Sequence, residues 1–195
     1  VRKIVVAPFV TLDGVMQAPG EPDEIKHGGW LIPFINDELL KHQLVEYLTA
    51  DGLLLGRLTY HMFSTSWPTM TDEGLIEGMS ARMNEMPKYV VSKTLTETPW
   101  NNSRLLEGDL AQAIARLKQG GDRNIIVGGS CDLVHSLIQQ DLVDEYQFIV
   151  APVIVGNGKH VFRDGTEKMK TLKLTGTKIF SNGVMVLTYQ PLRNA

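Results

Sequence analysis

The chain has 195 residues, 43% of them hydrophobic and 21% charged, with a formal net charge of −3. That balance describes a globular protein able to bury a sizeable core, and with no Lys/Arg stripe to offset the acidity it argues against nucleic acid as the main partner. Cys131 is the only cysteine. An intrachain disulfide is therefore excluded, and with no membrane-length apolar run and no signal-peptide pattern a cytoplasmic chain without a membrane partner is expected, folded as a single domain over residues 1–195.

Residues 3–6 read as a strand that continues through Ala7 and becomes irregular at Pro8, which has no N–H for a sheet ladder. Asp13-Gly14 is a turn signal. Residues 17–33 hold two breakers, Pro19-Gly20 and Gly28-Gly29, and read as a long loop of the kind that serves as a lid. Its apolar second half, with Trp30, Leu31, Ile32 and Phe34, either docks on the core or walls a pocket, and docking is the expected role. Asn36 suits the N-cap of an amphipathic helix over 36–49, with Leu40, Leu44, Tyr47 and Leu48 at helical spacing. Asp37 with Lys41 and Glu38 with His42 are i,i+4 neighbours on its solvated face.

Leu53-Leu54-Leu55 is a buried strand closed by Gly56, and Arg57 opens a helix to about residue 63. Residues 71–86 read as a further helix, with Met79, Met83 and Met86 as adaptable core filler and Pro87 as its stop. Residues 88–92 form a third strand and 96–102 a polar connection. Asp109 caps the next helix, which Gly120-Gly121 ends. The apolar strand 124–127 then meets Gly128-Gly129, and a helix runs on to about residue 140. Strand-like runs follow over 143–155, 172–180 and 184–189. Ser181-Asn182-Gly183 joins the last two, and Asn-Gly between strands is a strong hairpin signal.

Strands alternating with helices predict a three-layer α/β/α fold around a mostly parallel sheet, to which the hairpin adds antiparallel edge strands. In such sheets ligands bind outside the carboxyl ends of the strands. Three segments converge there: Gly56-Arg57-Leu58-Thr59, Ser92-Lys93-Thr94 and Gly128-Gly129-Ser130. Two are strand-to-helix junctions whose unpaired N–H groups favour an anion, above all phosphate; the third offers a hydroxyl and an ammonium. Together they suit a ligand with two or three phosphates, although the Gly-Gly turn taken alone also reads as a plain connection. Neither G-x-G-x-x-G nor a Walker motif occurs, so a dinucleotide must be held differently.

Thr11-Leu12-Asp13-Gly14, Gly56-Arg57-Leu58-Thr59-Tyr60, Val90-Val91-Ser92-Lys93-Thr94, Ile126-Val127-Gly128-Gly129-Ser130, and Leu142-Val143-Asp144-Glu145 leading to Ala151-Pro152-Val153-Ile154-Val155-Gly156-Asn157-Gly158 stand in a telling order. It resembles the dihydrofolate reductase-like fold, particularly the reductase domain of the bacterial riboflavin-biosynthesis deaminase/reductase and its stand-alone relatives. The resemblance spans nearly the whole chain. It implies NADPH as the cofactor. Ala7 would lie near the nicotinamide through its backbone. Gly56, Arg57, Leu58 and Thr59 would take the diphosphate, with Arg57 near the adenosine end. Ser92 and Lys93 would hold the 2′-phosphate. Val127, Gly128, Gly129 and Ser130 would cradle the diphosphate from the other side. The resemblance further implies a cis Gly128–Gly129 peptide and a homodimer, for which the uncovered hairpin edge is a candidate surface. A cation at Lys93 favours NADPH over NADH on physical grounds too, and its plainer reading is an exposed strand-end lysine. Asp132 is expected to be a helix-start residue turned outward.

The resemblance implies hydride transfer from NADPH to a small heterocycle or a sugar-derived carbonyl or imine, similar to the reduction of a phosphoribosylamino-pyrimidine. Folate reductases bind the pterin with a carboxylate on the first helix. Here that helix is expected to present Leu40 and Leu44 inward and Asp37 and Glu38 to solvent, so folate is not an expected substrate. Asp13 is the candidate pocket acid, with a backbone-capping turn aspartate as its plainer reading. One cysteine and five scattered histidines exclude a zinc deaminase, and no metal site is expected. The alternative is a non-catalytic nucleotide-binding protein that keeps the phosphate turns and fills the nicotinamide pocket with Trp30 or Met16.

Overall fold

Pro8 divides the first strand. The computed structural model, which describes residues 1–164 and 169–192, has β1 (Ile4–Val6) and β2 (Phe9–Thr11) on either side of it. After them come α1 (Asp37–Thr49), β3 (Gly52–Gly56), α2 (Arg57–Ser66), α3 (Met79–Glu85), β4 (Lys88–Val91), β5 (Ser103–Leu105), α4 (Leu110–Gln119), β6 (Ile125–Val127), α5 (Cys131–Gln139), β7 (Glu145–Ala151), β8 (Leu172–Ile179) and β9 (Met185–Pro191). The strands form one sheet in the order β5-β4-β3-β6-β1-β7-β9-β8, with β2 paired to β7. From β5 to β7 every ladder is parallel, and β7, β9 and β8 run antiparallel to one another in turn.

Period-two alternation sorts the strand side chains between two faces. Ile4, Val6, Leu54, Ile125 and Val127 meet Ile114 and Leu117 of α4 and Leu133, Val134, Leu137 and Ile138 of α5. Leu53, Leu55, Val90 and Ile126 meet Tyr60 of α2 and Met79 and Met83 of α3, with Leu44 and Tyr47 of α1 packed against them. These are the three layers, α/β/α. Each fully buried Leu or Val contributes about 1.5–3 kcal/mol from burial. A third cluster covers the antiparallel half and takes in Trp30 and Leu31, so the loop docks there, and the Trp30 indole donates to the Gln17 carbonyl at 2.9 Å.

The chain departs from its sequence reading in several places. The helix expected over 71–86 begins only at Met79. Gly74 and Gly78 take left-handed φ of 75° and 90°, and Asp72 folds the segment back by accepting from the N–H groups of Gly78 and Ser80. β5 lies just beyond the stretch read as a polar connection, too short to show alternation. β7 stops at Ala151, before Pro152, rather than running to 155. On α1, Glu38 turns to Ser181 rather than to His42. The Asn36 and Asp109 caps form as expected. Lys88, fully buried at the start of β4, donates to the carbonyls of Asn84 and Asn101 at 2.7 and 3.0 Å and lies 3.9 Å from the Trp100 ring centroid. Burial, then nearby Arg82, pushes its pKa down to about 8.

Candidate functional site

β4, β3, β6 and β1 are neighbours and parallel, so their carboxyl ends form one continuous edge. The chain leaves that edge through Ser92-Lys93, Arg57-Leu58-Thr59, Gly128-Gly129-Ser130 and Ala7, and the Ala7 N–H donates to the Val127 carbonyl at 3.0 Å. Every cofactor residue predicted from sequence therefore sits along one edge of four adjacent strand ends.

Two of those turns are fastened together. The Gly56 N–H donates to Ser130 Oγ at 2.8 Å. Gly129 (φ 65°) and Ser130 (φ 59°) both adopt the left-handed conformation, and these two residues reverse the chain from β6 into α5. No peptide among the described residues is cis. The cis Gly128–Gly129 expectation is thus corrected: φ rotation, not peptide isomerism, makes the turn. A Cβ on Gly129 would stand 3.2 Å from Thr59 Cγ2, whereas one on Gly128 would meet nothing within 4 Å. Gly129 is needed by the fold itself; the backbone at Gly128 faces open space.

The helix starts differ in a way that bears on ligands. Asn36 and Asp109 cap α1 and α4 with their side chains, and Asp72 serves α3. The residues that open α2 and α5, Gly56 and Ser130, give no side-chain cap. Glycine has no side chain, and the Ser130 hydroxyl is taken by Gly56. The first-turn N–H groups at these two helix starts, which the Gly56–Ser130 bond brings together, are free of side-chain acceptors, which is the electrostatic setting that attracts phosphate.

Other groups complete the edge. Ser92 Oγ accepts from the N–H groups of Thr94 and Leu95, which orders the turn, and lies 3.5 Å from the Thr94 hydroxyl. Lys93 and Arg57 are exposed and form no ion pair among the described residues. Asp132 is exposed, as expected, and its charge is met by Lys159 at 3.2 Å and Arg163 at 2.8 Å. Beyond β5 the edge continues into a groove of about 550 Å³ lined by residues including Arg104, Glu107, Gly108 and Arg116. Sequence reasoning missed it because it depends on β5, which pairs with β4 and brings Leu106 to the Val90 carbonyl.

Asp13 lies in the turn after β2. It accepts from the Thr11 hydroxyl at 2.6 Å, from Val155 N–H at 3.2 Å and from Gly156 N–H at 2.7 Å. The Thr11 bond, with the two backbone bonds behind it, holds its pKa down from 3.8 to about 2 against the opposing effect of burial. Trp30 and Met16 are 5% and 3% exposed and belong to core clusters, so both are spent on packing. Among the described residues no cluster of His, Cys, Asp or Glu is arranged to hold a metal, and no helix is long and apolar enough to cross a membrane.

Comparison with known proteins agrees with this architecture. The family model of the RibD C-terminal domain matches residues 2–186. The Bacillus subtilis (strain 168) protein YyaP, itself uncharacterized, is 27% identical over 191 residues, which cover 96% of this chain and 94% of YyaP. Among solved structures, a protein from Shewanella sp. PV-4 provisionally assigned to riboflavin biosynthesis superposes with a TM-score of 0.75 at 21% identity, covering 98% of this chain and 99% of that one. Dihydrofolate reductase from Enterococcus faecalis, solved with NADP(H), gives a TM-score of 0.60 at 12% identity, covering 98% and 97%. The fold is dihydrofolate reductase-like.

Proposed function

The chain belongs to the RibD C-terminal domain family, and on that premise we propose that it is an NADPH-dependent reductase acting on a small heterocyclic or sugar-derived carbonyl or imine. The observation that carries the reading is the pair of helix starts, α2 and α5, that lack side-chain caps and are tied side by side through Gly56 and Ser130. The residues present fit a dinucleotide. Gly128 offers backbone with open space beside it. The first-turn N–H groups of α2 and α5 would hold the diphosphate, Ser92 and Lys93 the 2′-phosphate, and Arg57 would lie near the adenosine end. The groove beyond β5 prolongs the same edge. Ala7, at the end of β1, would border the nicotinamide.

NADPH, when bound, supplies the hydride; the protein's part is to orient it and to exclude competing contacts. A proton must also reach the substrate. A carboxyl with a pKa of about 2 has no proton to give near neutral pH. In this reading Asp13 therefore positions the 153–156 segment beside the site, and solvent delivers the proton. Glu38, on α1, is occupied by Ser181 and is not offered to a pterin. The Enterococcus enzyme's complex with NADP(H) supports the same cofactor class here.

Calorimetric titration with NADPH and NADH tests the cofactor, and loss of nicotinamide absorbance with a panel of carbonyl, imine and ribosylamino-pyrimidine substrates tests the reaction. Binding of NADPH in preference to NADH, with turnover of at least one panel member, is the expected result. Absence of binding to either would overturn the reading. Tight binding with no turnover across the panel would favour the non-catalytic alternative.

A further inference from the structure

One acid at a helix start behaves unlike the others. Asp109 turns its carboxylate to the N–H groups of Ala111 and Gln112 at the start of α4, and Asp72 turns to those of Gly78 and Ser80 at the start of α3. The positive end of a helix draws a carboxylate that way. Asp132, the second residue of α5, is instead held outward: its oxygens meet Lys159 Nζ at 3.2 Å and Arg163 Nη1 at 2.8 Å. The Arg163 bond outweighs burial and, with Lys159, lowers the Asp132 pKa, so the carboxyl is ionised at neutral pH.

What that carboxylate leaves alone is the cofactor edge. The α5 ladder begins with the Val134 N–H donating to the Ser130 carbonyl at 2.9 Å, so the N–H groups of Asp132 and Leu133 lie ahead of it. The Ser130 hydroxyl, which by position would serve them, is taken by Gly56. Asp132 is then the competing acceptor in their own turn. The two cations that restrain it come from a segment fixed elsewhere. Lys159 donates its N–H to Gln17 Oε1 and accepts from the Met16 N–H, both at 2.9 Å, and the Val161 N–H donates to the Gly14 carbonyl at 2.9 Å. Asp13 fastens the same segment at Gly156. Stability gives little reason for the arrangement. Arg163 Nη2 is buried with no hydrogen-bond partner, which costs free energy, and an ion pair to an exposed carboxylate contributes little.

We propose that Lys159 and Arg163 are positioning residues for the cofactor: they hold the Asp132 carboxylate off the first turn of α5, which keeps the N–H groups of Asp132 and Leu133 open to a diphosphate. The proposal rests on the cofactor reading of the α2 and α5 starts. It gives Asp13 a place in the same chain of contacts, since the segment it fastens carries both cations.

The test combines calorimetric titration of NADPH and NADH with NMR of the α5 first-turn amides. The double variant Lys159→Met/Arg163→Met should bind both dinucleotides about fivefold more weakly at low salt, because an unrestrained carboxylate then faces the diphosphate that both carry. The deficit should shrink at high salt. Adding Asp132→Asn should restore wild-type affinity, and Arg163→Lys should retain it. Without any ligand, the amide shifts of Asp132 and Leu133 should follow titration of the Asp132 carboxyl strongly in the double variant and weakly in the wild type. A double variant that binds like the wild type would overturn the proposal. So would a triple variant as weak as the double, which would mean that the cations touch the cofactor themselves or only support the fold. Wild-type protein that binds neither dinucleotide would sink the cofactor reading instead, and equal amide titration in wild type and double variant would sink the proposal independently of any cofactor.

Discussion

Asp13 joins residues far apart in the chain, because its carboxylate accepts from Thr11 beside it and from Val155 and Gly156. Its folded pKa lies below the ordinary 3.8, at about 2. The stability these bonds add is therefore complete above the unfolded pKa and is lost as pH falls through about 2. Asp13→Asn should cost about 1–3 kcal/mol at neutral pH, since an amide nitrogen would face one of the three donors. It should also flatten the acid limb of stability, and denaturant midpoints measured across acid pH check both. A variant whose acid limb matches the wild type would show that the bonds contribute nothing. Lys93 is the residue that separates the two nicotinamide cofactors. Lys93→Ala should weaken NADPH about tenfold and leave NADH unchanged, because only the former carries the extra phosphate; equal loss on both would count against that role.

At the scale of elements, the α2 and α5 starts behave as one unit, since Ser130 bonds Gly56 and Gly129 lies against Thr59. The two neighbouring glycines then have different jobs. Gly129→Val should destabilise the fold itself: a left-handed φ costs an L-residue about 1–2 kcal/mol, and the added branch meets Thr59. Gly128→Val has no such conflict. It should keep the wild-type melting temperature and circular dichroism while losing NADPH binding, because its side chain would fill the open space beside the backbone. Retained affinity in Gly128→Val would mean that the cofactor does not approach there. The sequence motif shows both glycines as one turn; only their different surroundings separate them.

For the whole molecule, the parallel half of the sheet carries the cofactor edge, while β7 and β9 pack with the docked loop and β8 forms an exposed outer strand. A ligand held across four strands and two helix starts stabilises the folded state as a unit. NADPH at a hundredfold excess over its Kd should add about 2.7 kcal/mol. For a chain of this length that raises the Tm by roughly 5–10 °C. NADH should give a smaller rise at equal concentration, and a thermal shift assay measures both. No shift with either cofactor would count against binding at this edge.

What the sequence by itself determined is local. The caps at Asn36 and Asp109, the break at Pro8, the Asn182-Gly183 hairpin and the strand-to-helix junctions at Gly56 and Gly128 each depend on residues within a few positions of one another, so their chemistry is legible in order along the chain. The tertiary structure alone decided which strands became neighbours, and hence that Ser92, Gly56, Gly128 and Ala7 share one edge. It also decided that the Ser130 hydroxyl serves Gly56, 74 residues away, instead of its own helix. The folding back of 72–78 under Asp72 and the groove beside β5 were hidden for the same reason. A hydrogen-bond acceptor chooses its partner by distance in space, and packing of the sheet, not sequence separation, sets that distance.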